Sequence, residues 1–64
     1  MPSTMIGLRI RERRRAAGIR QAELAEAMGI SASYLNLIER EKRRASPDLV
    51  SRAAKALGVP AAEL

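Results

Sequence analysis

A chain of 64 residues with net charge +5 and neither cysteine nor histidine makes one small domain whose apolar core must hold without disulfides, and it excludes a thiolate–imidazole metal site. Hydrophobic residues are 47% of it, as Ala, Leu, Ile, Met and Val with one Tyr and no Phe or Trp, a set that favours helix over sheet. Ten of the twelve basic residues fall in two blocks, Arg9, Arg11, Arg13, Arg14, Arg15 and Arg20, then Arg40, Lys42, Arg43 and Arg44. Such clustering suits a polyanion, because each cation that meets a phosphate releases a counterion, the plain alternative being a solvated charged face.

The opening residues, MPSTMIGLRI, run into the first basic block with no apolar stretch long enough for a signal peptide or a membrane span, so a cytoplasmic protein is expected. A first helix is predicted over roughly residues 5–17, capped by Ser3 or Thr4, with Ile6, Ile10 and Ala17 on its buried side and Gly18 ending it. A second is predicted over 21–28, burying Leu24, Ala25 and Met28 and stopped by Gly29. Ser31 caps a third over roughly 32–40, after which Glu41–Ala45 reads as a basic extended loop. Ser46, Pro47 and Asp48 mark the start of a fourth helix over 47–57, with Leu49, Val50, Ala53, Ala54 and Leu57 on its buried side and Gly58 at its end. A fifth begins near Pro60, leaving Ala61, Ala62 and Leu64 for something to cover, and the chain is expected to continue into further domains.

Helices two and three are joined by Met28-Gly29-Ile30-Ser31, a short turn with a glycine, as a helix-turn-helix requires. Ala25 is small where the helices must approach, and Leu35 and Ile38 are the inward anchors of the third helix; a bland helical hairpin is the alternative. At 100° per residue the face opposite those anchors carries Ser33, Asn36, Leu37 and Arg40. In a major groove Ala32, Ser33 and Leu37 would meet base edges, Asn36 a base or a phosphate, and Leu37 a thymine methyl. An ordinary exposed or partner-covered leucine is the competing reading.

Gln21, with the free backbone N–H groups of its helix, suits a phosphate. Arg40, Lys42, Arg43 and Arg44 would run beside the DNA backbone, adding affinity and salt dependence but little discrimination. The Tyr34 hydroxyl reaches a phosphate or simply packs. Arg14 and Glu39 are candidates for an ion pair tying the first helix to the third.

Together Gln21-Ala22-Glu23-Leu24-Ala25, Gly29-Ile30-Ser31, Ser33-Tyr34-Leu35 and Ile38-Glu39-Arg40 resemble the Cro/C1-type (XRE-like) helix-turn-helix family over about residues 6–59. The resemblance implies an all-α fold of five helices, two-fold dimers on a pseudo-palindromic DNA operator, and a role in transcriptional regulation. It also makes Gln21 a phosphate contact, Ala32, Ser33 and Leu37 base-facing, and Arg14–Glu39 a buried pair. The stretch from Ser33 to Arg40 and its basic loop are similar to long bacterial regulators of short-chain acyl or propionate metabolism. Two positions depart from the family: Arg20 stands where a Ser or Thr cap is usual, and Arg13 where an apolar residue is usual.

An enzyme is not expected, since there is no His, Cys or phosphate-binding glycine loop and the carboxylates are scattered. No cofactor or metal is implied. An antitoxin-type regulator that also binds a protein toxin is the alternative function. A membrane-surface helix is disfavoured, because the thin apolar side of the first helix is needed by the core.

Overall fold

The computed structural model describes residues 5–64; the expected cap at Ser3 or Thr4 lies outside them. Four α-helices follow in order, α1 (Ile6–Ala16), α2 (Gln21–Met28), α3 (Ala32–Glu39) and α4 (Pro47–Leu57), then a 3-10 turn over Ala61–Glu63. The expected fifth helix is therefore a single tight turn. Its hydrogen bonds are of the i→i+3 kind, from Glu63 N–H to the Pro60 carbonyl and from Leu64 N–H to that of Ala61. That tighter winding accompanies the return of Leu64 to the core, where it is buried, while Ala61 and Ala62 stay exposed.

Local chemistry sets the helix ends. Ser31 Oγ accepts the Tyr34 N–H at 3.0 Å, and Ser46 Oγ accepts that of Leu49 at 3.2 Å; each cap contributes about 1 kcal/mol. At the start of α2 arginine has no acceptor to offer, so only the reverse half of a capping box forms: the Arg20 backbone N–H donates to Glu23 Oε1 at 2.9 Å. Gly29 ends α2 at φ 76°, a left-handed turn with the Ile30 N–H returning to the Ala25 carbonyl at 3.0 Å. Ala17 lies just past α1 and is exposed, correcting its expected place on the buried side: the chain has already begun the turn at Gly18, so Ala17 no longer follows Ile6 and Ile10 around the helix.

The core gathers Ile10, Leu24, Ala25, Met28, Leu35, Ile38, Ala53, Ala54 and Leu64 from all four helices and the terminal turn. α2 packs on α3 and α4, and α1 packs on α3 and α4, so the helix-turn-helix pair is held from behind. The α1–α3 approach depends on Gly7. A Cβ there would overlap the Ile38 carbonyl oxygen and stand 3.2 Å from Glu39 Cα, so only glycine lets the two backbones touch. The Cα radius of gyration, 10.3 Å, is close to the roughly 11 Å expected of a compact chain this long.

Candidate nucleic-acid interface

Leu35 and Ile38 are fully buried, and they turn the other side of α3 outward. Ser33 and Arg40 are exposed there, while Ala32, Tyr34, Asn36 and Leu37 are half-buried. Leu37 thus offers less free apolar surface than the helical wheel alone implies, because a helix this close to its neighbours leaves only a narrow strip fully open. Arg40 caps α3 rather than belonging to it. Behind it Lys42, Arg43 and Arg44 are all exposed. The departure of this basic loop is set by the Leu37 carbonyl, which accepts the Lys42 N–H at 2.8 Å and the Arg43 N–H at 3.3 Å.

At the base of α3 a polar junction joins three helices. Arg14 donates from Nε to Glu39 Oε2 at 2.8 Å and from Nη2 to Glu39 Oε1 at 3.0 Å, and from Nη1 to the Ile19 carbonyl at 3.0 Å. The side chains are 12% and 2% exposed, so the fork is bidentate and largely shielded from water. Gln21 Nε2 donates to Glu39 Oε1 at 3.1 Å and to Asn36 Oδ1 at 3.4 Å. Hydrogen bonding to Glu39 raises the Arg14 pKa, burial opposes that, and the carboxylate charge adds to the rise. The guanidinium therefore stays charged, and the end of α1, the start of α2 and the end of α3 are held in register.

This junction has a consequence for Gln21 and Asn36. Their amides bond each other, so both side chains are oriented along the seam between α2 and α3 rather than left free. No buried side-chain polar atom among the described residues lacks a partner.

Glu41 supplies a second tie between the same helices. It sits at φ 62°, the left-handed position that follows a helix and usually takes glycine. Its Oε2 accepts the Leu8 N–H at 2.9 Å, capping the N-terminal turn of α1 from a distant loop. Neither this cap nor the Gly7 contact was readable beforehand, since each pairs residues more than thirty positions apart.

The cations sort into two sets. Arg13 pairs with Glu63 at 3.1 Å, Arg52 with Asp48 at 3.1 Å, and Arg9 Nη1 donates to the Leu64 carbonyl at 3.1 Å. Arg13, at a position expected to be apolar, is thus a surface residue tied to the terminal turn. Among the described residues none of Arg11, Arg15, Arg40, Lys42, Arg43 and Arg44 forms a salt bridge. Arg11, Arg15 and Arg40 instead line an open cleft of about 400 Å³ with Arg14, Gln21, Asn36 and Glu39. Arg11 and Arg15 were readable only as members of a basic block; the three- and four-residue spacings from Arg11 to Arg14 and Arg15 were the signal that could have placed them together. No group of three or more potential metal ligands occurs among the described residues, and no helix there is long and apolar enough to cross a membrane.

The helix-turn-helix family model matches residues 10–64. Among solved structures the chain is similar to the clp gene regulator ClgR from Corynebacterium glutamicum, with 34% identity and a TM-score of 0.90 over 92% of this chain and 63% of that one. It is similar to the restriction-modification controller protein C.AhdI from Aeromonas hydrophila, with 36% identity and a TM-score of 0.87 over 92% and 89%. It is also similar to SinR, a master regulator for biofilm formation solved in complex with DNA, with 34% identity and a TM-score of 0.81 over 89% and 92%. The chain spans less than two thirds of the ClgR chain. No curated protein matches it.

Proposed function

Since the chain belongs to the Cro/C1-type helix-turn-helix family of DNA-binding transcriptional regulators, we propose that it is the DNA-binding domain of a cytoplasmic regulator and docks α3 in the major groove of a pseudo-palindromic operator as one half of a two-fold dimer. The observation that carries this reading is the outward face of α3, with Ser33 and Arg40 exposed beside a loop of three cations that form no salt bridge among the described residues. In this reading Ala32, Ser33 and Leu37 touch base edges. Asn36 accepts from Gln21 through Oδ1 and turns its Nδ2 donors to a base or a phosphate. Gln21 meets phosphate through the backbone N–H groups at the start of α2, its side-chain donors being held by Glu39 and Asn36.

The loop residues Lys42, Arg43 and Arg44, with Arg40 and the Tyr34 hydroxyl, contact the DNA backbone and supply most of the affinity. A reading face this weakly polar leaves part of the specificity to DNA shape. The dimer forms on the DNA.

The test is selection of bound sequences from a random duplex pool, followed by Ser33→Ala, Leu37→Ala and Arg43→Ala. The first two are expected to weaken binding to the selected operator more than to random duplex, by about 1–3 kcal/mol where a base contact is lost, and Arg43→Ala to weaken both alike. Equal losses for all three refute the assigned reading face.

A further inference from the structure

The proposed interface uses α3, the start of α2 and the loop after Arg40, and leaves two exposed cations of α1 without a role. Arg11 and Arg15 stand four residues apart, one turn along the same face, with Arg14 beside them. Like charges so placed repel each other, and among the described residues no carboxylate pairs with either. The other exposed arginines of α1 are treated differently: Arg13 is neutralised by Glu63, and Arg9 donates to the Leu64 carbonyl. Unpaired charge is therefore concentrated on the side of α1 that borders the helix-turn-helix.

That side is concave. Arg11 and Arg15 of α1 line the 400 Å³ cleft together with Gln21 of α2, Asn36 of α3 and Arg40 at the end of α3. Four guanidiniums line it against the single carboxylate of Glu39, which is buried and already bound by Arg14. Guanidinium forks match phosphate oxygens bidentately. Gln21 opens α2 and lines the same cleft, so a strand held at the start of α2 is within reach of it.

We propose that Arg11 and Arg15, together with Arg40, clamp a phosphate of the DNA backbone at the edge of the half-site read by α3. This rests on the DNA-binding reading above. It extends the footprint to α1 and makes the contact independent of sequence.

The test compares the wild-type chain with R11Q/R15Q and with R9Q/R13Q, which removes the same charge from the other face of the same helix. Binding to the selected operator and to random duplex is measured between 50 and 200 mM salt, with circular-dichroism melts to establish folding; the single variants R11Q and R15Q stand in should the double variant melt early. R11Q/R15Q is expected to bind both duplexes more weakly and to show a salt slope shallower by about 1–2, so that its deficit grows about four- to sixteenfold from 200 to 50 mM. R9Q/R13Q is expected to keep the wild-type slope.

If R11Q/R15Q binds as wild type does, the clamp is wrong and the DNA reading stands. Equal losses in both double variants also overturn it, by showing that overall charge matters and the cleft does not. A melting temperature of the free wild-type chain raised by inorganic phosphate at matched ionic strength, absent in R11Q/R15Q and paired with an unchanged duplex slope, assigns the cleft to a small anion instead. Failure of the wild-type chain to bind any duplex refutes the DNA reading and the clamp with it.

Discussion

Replacing Arg14 by methionine tests whether the polar junction holds α1, α2 and α3 together. The substitution keeps an unbranched apolar stem and deletes the guanidinium, so Glu39, whose side chain is 2% exposed, loses two of its three donors and keeps only Gln21 Nε2 at 3.1 Å. Removing one partner of a buried ion pair costs about 3–5 kcal/mol, because the remaining charge is stranded out of water. A domain of 64 residues has only about 3–10 kcal/mol of stability in all. Arg14→Met should therefore leave little folded baseline.

The companion variant is R14M/E39M, which removes both charges. Replacing a buried pair by apolar groups of similar size is neutral or stabilising by about 1–4 kcal/mol. Here the Ile19 carbonyl also loses the Arg14 Nη1 donor, which offsets part of any gain, so stability near wild type is expected. The assay is urea unfolding followed by helical circular dichroism, closed as a double-mutant cycle with Glu39→Met. A cost below about 1 kcal/mol for Arg14→Met, or a double variant as unstable as the single, would falsify the account of the junction.

Two further substitutions test the ties between α1 and α3. Gly7→Ala forces a methyl into the Ile38 carbonyl; the helices must separate, with an expected loss of at least about 1–3 kcal/mol in the same urea assay, and an unchanged midpoint would show that the contact yields freely. At Glu41, alanine keeps the left-handed strain while deleting the cap on Leu8, whereas glycine deletes the cap and relieves the strain. Glu41→Ala should thus cost about 1 kcal/mol more than Glu41→Gly in thermal or urea melts; equal losses would remove either the strain or its relief from the argument.

Much of this molecule follows from short-range pattern. The spans of α2 and α4 were legible to the residue: Gly29 and Gly58 end them, and Ser46 and Pro47 open α4, because these residues act on backbone groups within a few positions of themselves. The turn at Gly29 and the inward direction of Leu35 and Ile38 were legible for the same reason, and with them the identity of α3 as the element turned outward. The end of the chain was not: Pro60 signals a start, but whether an α-helix or one 3-10 turn follows depends on where Leu64 finds apolar company.

What the sequence by itself determined, then, is the order of helices, the helix-turn-helix and the positive charge offered to a polyanion. Only the tertiary structure decided which of those charges remain free. Arg13 and Arg11 look alike in the chain, yet one meets Glu63 and the other faces the cleft. The Gln21 and Asn36 amides, equally free on a helical wheel, turn out to hold each other across the seam. The reason is physical: capping and periodicity act over one helical turn, whereas pairing requires the atoms of distant residues to come within about 3–4 Å, and only the packed backbone sets that distance.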